Sequence, residues 1–243
     1  APEMIKTWEL FQDEDIITKM WLKINLYSAT RGINRFKGLV KTFQLMKENG
    51  VSTPEFEGIA SWAESARELS NQALEDAGEN GDNSLKKALE WSEAVNSSIT
   101  VLPDTAKPFD NVKNVLEQAS RVADIAVVSS ANLSAVEEEW KRHGIMKHTD
   151  ILLGQEHGSK GHCIAQLKKT GYSDAHVLMV GDAPGDLQAA QENNILFYPI
   201  LAGSESKSWE VLYTQGINRF LSEDFSRLYQ QQLIESFEQN LNY

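Results

Sequence analysis

The sequence contains one cysteine, Cys163, among 243 residues. A single thiol cannot form an intramolecular disulfide or a metal site built from cysteines alone, so the chain is not a disulfide-stapled secreted scaffold. The sequence also lacks an apolar run long enough to cross a bilayer, and it lacks an N-terminal signal-peptide pattern. Together these absences predict a cytoplasmic protein.

Positive charge is scarce as well. The chain has 23 Lys and Arg against 35 Asp and Glu, which gives a formal net charge of −12. Nucleic acids and anionic membranes both attract positive surface, so we expect neither as the main partner. A small anionic substrate is compatible with this charge because a single site can be locally positive. Hydrophobic residues at 41 % and charged residues at 24 % are typical of a soluble globular protein with one large or two smaller domains.

The first part of the chain carries helical periodicity and almost no strand signal. Apolar residues recur at helical spacing, which predicts helices over residues 16–27 and 34–49, a third from an N-cap at Thr53 and Pro54 to about Gly78, and a fourth over 82–95. Residues 78–81 form the loop between the last two. This pattern predicts a bundle of about four helices that could be a small domain of its own.

The second part alternates short apolar strands with helices. Residues 103–108 have the composition of a linker, so we place the domain boundary between 1–105 and 106–243. Because strands separated by helices imply right-handed βαβ units, the pattern predicts an α/β fold with a Rossmann-like parallel sheet covered by helices on both faces. Strands are expected at 125–128, 151–153, 177–180 and 195–198, with Phe220 and Leu221 as a closing strand, and helices at 111–121, 133–143, 160–170, 208–214 and 225–241.

One predicted strand ends in two aspartates, Asp182 and Asp186, in a Gly-Asp-x-x-x-Asp sequence. Ligands bind at the carboxyl ends of strands in open α/β sheets, and two carboxylates there favour a hard cation, with Mg²⁺ the first candidate. In the alternative interpretation, Asp186 caps the next helix and Asp182 only shapes the turn.

Two further stretches place polar groups beside helix starts. Ser129, Ser130 and Asn132 follow a predicted strand and precede a helix, where unpaired N–H groups favour an anion such as phosphate. Lys160 begins a helix, where the helix dipole disfavours a cation, so we expect an anion to hold it. The alternatives are a helix N-cap at the serines and a lysine that points into water.

The hydroxyl, the lysine and the carboxylate pair, in that order on successive strands, resemble motifs II, III and IV of the haloacid dehalogenase superfamily. The matching residues are Ser129, Lys160, Asp182 and Asp186. The resemblance covers most of residues 106–243 and implies a Mg²⁺-dependent phosphatase or phosphotransferase that acts on a small phosphorylated metabolite. It implies phosphoryl binding and catalytic roles for Ser129 and Lys160, Mg²⁺ binding by Asp182, and a second or indirect metal contact by Asp186.

The helical part resembles the cap domain that many members of this superfamily carry. The resemblance implies that such a cap determines substrate specificity, and the candidates here are Arg31, Asn34, Arg35 and Lys37, which lie between two predicted helices. Arginine forks suit carboxylate and phosphate groups. The alternative is that these residues are solvated or pair with acidic groups of their own domain.

The sequence departs from the superfamily at motif I, an aspartate pair that directly follows the first core strand. The sole D-x-D present, Asp13-Glu14-Asp15, follows residues 8–12, which lack a buried-strand pattern, and it runs into a predicted helix. We therefore interpret it as a first helical turn, with a nucleophile role as the alternative.

Without a motif I strand, the strands that end at Ser129 and Val180 would face a gap. We expect the nucleophilic aspartate to lie upstream of Ala1 and the 243 residues alone to be inactive; otherwise the sheet closes in another way. The competing hypothesis is a non-catalytic protein that keeps the phosphate and metal cradle for binding a ligand or partner.

Overall fold

The computed structural model describes residues 1–78, 82–101, 107–131 and 133–241. It divides into two compact units, residues 1–105 and 106–243. The predicted loop at 79–81, most of the predicted linker (103–106) and Asn132 lie outside the described residues. None of the helices in the described ranges combines the length and the apolarity needed to cross a bilayer.

The first unit is helical. Asn34 caps the helix α3 (Arg35–Glu48), because its side-chain oxygen accepts a hydrogen bond from the Phe36 N–H at 2.9 Å. Gly50 follows that helix with a φ of +71°, a conformation that glycine adopts at little cost. The helices are α1 (Pro2–Thr7), α2 (Glu14–Leu26), α3 (Arg35–Glu48), α4 (Glu57–Ser65), α5 (Asn71–Gly78) and α6 (Asn83–Val101).

The predicted helix from Thr53 to Gly78 is wrong at its start and in its continuity. The Thr53 hydroxyl donates to the Val51 carbonyl at 2.7 Å instead of capping a helix, and α4 begins only at Glu57. Ala66 is extended, with a ψ of 136°, and it ends α4. The Ser70 hydroxyl then accepts from the Ala73 N–H at 3.2 Å and starts α5. Local hydrogen bonds thus separate into two helices, α4 and α5, a stretch that apolar periodicity alone predicts as one helix.

One continuous apolar core holds the first unit together, and aromatic rings lie at its centre. The Phe36 ring meets the Trp62 ring edge-on at 5.1 Å, and the Trp8 ring meets the Phe43 ring edge-on at 5.0 Å. Trp91 of α6 is 1 % exposed and lies within 6.4 Å of the Trp8 ring. Such edge-to-face pairs add to the stabilisation that burial provides.

The second unit alternates strands and helices as predicted. Its helices are α7 (Val112–Ala119), α8 (Leu133–Arg142), α9 (Lys160–Lys168), α10 (Pro184–Glu192), α11 (Glu205–Val211), α12 (Ile217–Leu221) and α13 (Arg227–Leu241), and its strands are β1 (Ala126–Val128), β2 (Ile151–Leu153), β3 (Leu178–Gly181) and β4 (Leu196–Pro199). The expected closing strand at Phe220 and Leu221 is wrong. Both residues belong to α12, which follows a π-helical turn at Leu212–Gly216 and buries Ile217.

The strands form two separate parallel pairs. In the described residues β1 pairs with β2 and β3 pairs with β4, with Val128 opposite Leu153 and Gly181 opposite Pro199. Packing links the pairs, since α9 contacts both β1 and α10, and α10 contacts β3 and β4. The sheet is therefore parallel, as predicted, and it is split between β1 and β3.

Candidate active site

The loop between β3 and α10 is organised by Asp186. Its side chain is 2 % exposed, and its Oδ2 accepts hydrogen bonds from the backbone N–H groups of Asp182 and Ala183, both at 3.0 Å. Ala183 is the N-cap of α10 and Pro184 its first residue, so Asp186 reaches back from the third helical position. This is the capping role that the sequence offered as the alternative for Asp186.

Gly181 allows that arrangement. A Cβ at position 181 would lie 2.4 Å from the Asp186 Cβ, closer than real Cβ contacts come. The glycine of the Gly-Asp-x-x-x-Asp signature is therefore required by the backfolded carboxylate.

Lys160 contacts Asp186 from the preceding helix, α9. Ser159 caps α9 by accepting from the His162 N–H at 3.2 Å, which makes Lys160 the first residue of the helix. The Lys160 Nζ forms an ion pair with Asp186 Oδ1, and the lysine side chain is 25 % exposed. The sequence predicted that an anion holds this lysine, and in the structure that anion is Asp186.

The Lys160–Asp186 pair uses the second carboxylate oxygen of Asp186, because Oδ2 already accepts from two N–H groups. A carboxylate buried with a cation and two donors is satisfied, whereas the same carboxylate without the lysine would be a buried unpaired charge. The pair therefore fixes the amino end of α9 against the amino end of α10.

The serines lie at the carboxyl end of β1. The Ser129 N–H donates to the Leu153 carbonyl at 2.8 Å, and its hydroxyl accepts from the Ala131 N–H at 3.1 Å. Ser129 is half-buried and Ser130 is exposed. Ser129 thus shapes the loop before α8, which begins at Leu133, and this contact is a local turn and not the helix N-cap of the alternative interpretation. Phosphate binding by Ser129 and Ser130 stays a prediction.

A residue that the sequence interpretation missed, Glu156, lies in the 3-10 turn after β2, and its side chain reaches the start of α8. Its Oε1 accepts a hydrogen bond from the Leu133 N–H at 3.2 Å. Hydrogen bonds from its own N–H and from Leu133 lower the pKa of the Glu156 carboxyl. Gly154 permits the close approach, since a Cβ there would lie 2.9 Å from the Leu133 nitrogen. An anion thus lies at the amino end of α8, as predicted for phosphate, but this anion is the Glu156 carboxylate.

The acidic residues fit a magnesium site only in part. In the ranges that the structure describes, no group of three or more His, Cys, Asp or Glu is placed to hold a metal ion. Magnesium needs only one or two carboxylates, because it keeps several waters and binds substrate phosphate. Half-buried Asp182 can supply one such ligand. Both oxygens of Asp186 are engaged, so its contribution would be indirect, through the loop that it holds.

Three of the four cap candidates donate hydrogen bonds within the first unit. Arg35 is half-buried, and its Nη1 donates to the Ser92 Oγ at 3.2 Å and the Asn96 Oδ1 at 2.7 Å. Burial also lowers the pKa of the Arg35 guanidinium. Asn34 donates to the Leu69 carbonyl at 3.0 Å, Arg31 donates to the Leu26 carbonyl at 2.8 Å, and Lys37 is exposed. Their substrate role stays a prediction, and for Arg35 the structure gives a sufficient structural role.

The D-x-D segment begins a helix. Asp13 is the N-cap of α2, and Glu14 and Asp15 lie in its first turn. The preceding residues, Phe11–Asp13, form a short 3-10 turn and not a strand. The structure thus agrees with the helix-start interpretation.

Comparisons with known proteins give a matching family model and solved structures of low similarity. A family model described as haloacid dehalogenase-like hydrolase matches residues 32–200, more than half of the chain. A haloacid dehalogenase-like family hydrolase from Streptococcus pneumoniae is 17 % identical, with 68 % of this chain and 79 % of that chain covered and a TM-score of 0.43. A HAD-superfamily hydrolase of subfamily IA, variant 1, from Geobacter sulfurreducens is 11 % identical, with 65 % and 76 % covered and a TM-score of 0.38. None of the curated proteins matches the sequence.

Proposed function

Because the chain belongs to the haloacid dehalogenase-like hydrolase family, we propose that it is a Mg²⁺-dependent phosphatase or phosphotransferase acting on a small phosphorylated metabolite. The observation that carries this proposal is the ion pair of Lys160 and Asp186 at the carboxyl end of β3, next to Asp182. It brings a cation and a fixed acidic loop to one place, the combination that phosphoryl transfer requires.

Each residue has a distinct task in this proposal. Asp182 would hold Mg²⁺, and the bound ion would neutralise charge on the phosphoryl oxygens. Asp186 keeps the loop in shape through its two backbone N–H donors. Lys160 faces the phosphoryl oxygens, and the hydroxyls of Ser129 and Ser130 donate to them.

The nucleophile comes from outside the described strands. In the family mechanism an aspartate oxygen attacks phosphorus, the ester oxygen leaves with a proton, and water then hydrolyses the aspartyl-phosphate. Since Asp13 and Asp15 lie at a helix start, a further strand has to deliver that carboxylate. The 243 residues alone are thus expected to release no phosphate.

The activity test compares this chain with a chain that carries a further aspartate-ending strand before Ala1. Phosphate release from sugar and nucleotide phosphates is measured with and without Mg²⁺. We expect release by the extended chain only, and a loss on the order of 100-fold in Asp182→Asn. Asp76→Asn removes the same charge from an exposed position in α5 and serves as the control. Full activity in Asp182→Asn, or none in the extended chain, contradicts the proposal.

A second candidate is a non-catalytic protein that binds phosphate and metal. The absence of an aspartate-ending strand beside β1 or β3 in the described residues favours it. Calorimetric titration of phosphate and Mg²⁺ separates the two candidates. Binding that Asp182→Asn weakens, together with no turnover by the extended chain, supports this alternative.

A further inference from the structure

One segment of this acidic chain is purely basic. Residues 16–47 contain seven Lys and Arg and neither Asp nor Glu, so all 35 acidic residues lie elsewhere. The segment forms most of α2 and nearly all of α3, and these two helices pack against each other. Charge of one sign on two neighbouring helices gives a locally positive surface, although the net charge of the whole chain is −12. Such a surface attracts an anionic partner.

Four lysines of this segment lack a partner among the described residues. The other cations are engaged: Arg35 donates to Ser92 and Asn96, and Lys47 pairs with Glu57 at 3.3 Å. Within the ranges that the structure describes, neither an ion pair nor a side-chain hydrogen bond is formed by Lys19, Lys23, Lys37 and Lys41. All four lysines are exposed, so their charge is available to a group outside the chain.

Large apolar side chains are exposed beside the lysines of α2. Leu22 and Leu26 are 39 % and 40 % exposed, and they lie one turn apart on the helix. Lys19 and Lys23 each precede one of these leucines by three residues, so the lysines run alongside the leucines. Tyr27, at the end of the helix, is exposed as well. A single exposed leucine is ordinary, but three large apolar side chains within residues 22–27 form a patch of the kind that contacts a partner.

The contact between α2 and α3 determines the order of these side chains across the surface. Asn25 of α2 faces Gly38 of α3, where a Cβ would lie 2.6 Å from the Asn25 Oδ1. The two leucines lie about 60–100° round α2 from Asn25, and the two lysines of α2 lie about 120–160° from it. On α3, Lys37 and Lys41 are exposed one turn apart, away from the buried side of that helix. The leucines therefore lie between two rows of lysines.

We propose that this outer face of α2 and α3 binds an amphipathic helix of another protein, with acidic residues on either side of an apolar stripe. Leucines one turn apart pack into the apolar stripe of a facing helix. The lysine rows then lie opposite the carboxylates on both flanks of that helix. The exposed stretch from residue 16 to residue 27 is about 18 Å long, which corresponds to a bound helix of about three turns. The inference goes beyond the proposed function and does not depend on it, because the face lies entirely in the helical unit.

The charge pattern favours this partner over a second copy of the chain and over a bilayer. In a symmetric dimer through this face, the lysines of one copy would lie opposite the same lysines of the other copy, and like charges repel. An anionic bilayer extends beyond the two lysine rows and would be repelled by the net charge of −12. A single helix is about 10 Å wide and contacts only the basic face.

The test is a titration of a labelled peptide with the 243-residue chain, followed by fluorescence anisotropy. The peptide consists of two copies of Leu-Ala-Glu-Leu-Glu-Ala-Glu, acetylated and amidated, and the control peptide has glutamine in place of every glutamate. We expect a Kd on the order of 100 µM for the acidic peptide and binding at least about tenfold weaker for the control. Raising NaCl from about 0.05 M to about 0.5 M should weaken binding, because exposed charge pairs are screened.

Variants of the chain locate the binding face. Lys19→Gln/Lys23→Gln should raise the Kd about fivefold to tenfold, because two exposed charge pairs are lost. Leu22→Ser/Leu26→Ser should raise it about tenfold, since the apolar contact is lost. The control Lys86→Gln/Lys87→Gln removes the same charge from α6 and should leave the Kd within about twofold. Circular dichroism checks that each variant keeps the helical content of the parent.

Three outcomes overturn the proposal. The first is no binding of the acidic peptide at about 1 mM chain. The second is the same increase in Kd for the α2 and α6 lysine variants. The third is binding to vesicles of phosphatidylserine and phosphatidylcholine, or a dimer detected by sedimentation, that is lost in Lys19→Gln/Lys23→Gln. That result would assign the face to a bilayer or to a second copy.

Discussion

The two units solve the packing problem in different ways. The helical unit buries one continuous core, with Trp91, Phe36 and Phe43 at its centre. The α/β unit divides its apolar residues into three smaller clusters, one around Phe197, one around Tyr198 and one around Leu116. A helix satisfies its own backbone hydrogen bonds, so it needs only side-chain contacts from its neighbours. A strand needs a neighbour for its backbone as well, and the split between β1 and β3 follows from the lack of one.

The largest expected effect tests the continuous core of the helical unit. Trp91→Ala removes a ring that contacts Trp8, Trp21 and Phe36, and we expect it to lower the free energy of unfolding by about 3–5 kcal/mol. Urea denaturation monitored by circular dichroism measures the change. Val101→Ala, at an 80 % exposed position of the same helix, should stay within about 0.5 kcal/mol. A small effect of the tryptophan change would contradict a single cooperative core.

The next largest effect tests the ion pair between Lys160 and Asp186 in the α/β unit. Lys160→Met leaves the buried Asp186 carboxylate without its cation, and because the lysine is 25 % exposed we expect a loss of about 2–3 kcal/mol. The double variant Lys160→Met/Asp186→Asn should recover part of that loss, since no buried charge is left unpaired.

The matched control for Lys160→Met is Lys207→Met. Lys207 pairs with Glu210 at an exposed position, so its loss should change the free energy of unfolding by at most about 0.5 kcal/mol. Equal stability losses for the Lys160 and Lys207 variants would show that the buried ion pair stabilises the fold no more than an exposed one.

A substitution at Arg35 tests whether one of the cap candidates stabilises the helical unit. Arg35→Leu removes hydrogen bonds to Ser92 and Asn96, and we expect a loss of about 1–2 kcal/mol without any substrate present. Chemical denaturation measures it, with Lys37→Leu at an exposed position as the control. If both variants are as stable as the parent, Arg35 has no structural role and is available for a ligand.

Matched helix caps compare the two units directly. Asn34→Ala and Ser159→Ala each remove one side-chain cap, at α3 and at α9, and each should cost about 1 kcal/mol. Asn34 also donates to the Leu69 carbonyl, so its loss should be the larger of the two. Segment-resolved hydrogen exchange measures the local opening of each helix. A larger loss for Ser159→Ala than for Asn34→Ala would show that the α/β unit depends more on its helix caps than the helical unit does.

The smallest effect concerns pH and Glu156. Its pKa is lowered from 4.5 in the folded chain, so its stabilisation is present above that value and is lost as the pH falls through the folded pKa. Glu156→Gln removes this dependence. The Tm difference between parent and variant should therefore be larger at pH 7 than at pH 3, and an unchanged difference would contradict the contact with Leu133.

Much of the fold follows from the sequence. Residues 151–153 form β2 within the predicted bounds, and α9 begins at Lys160, because apolar runs and N-cap residues are local signals. Local signals failed at Thr53, whose hydroxyl bonds to Val51, and at Phe220, whose apolar neighbours belong to a helix. At Thr53 a side-chain hydrogen bond to the backbone competes with the helix cap, and at Phe220 a helix forms in place of the short strand.

The sequence by itself determined most of the helices and strands, that the strands are parallel and which loop carries Asp182 and Asp186. Only the tertiary structure decided the partners of those residues. Lys160 lies 26 positions from Asp186, and Glu156 lies 23 positions from Leu133, distances at which spacing along the chain carries no information. For Asp186, burial determines the partners: a carboxylate removed from water takes the nearest cation and N–H donors, and only packing of the helices determines which those are.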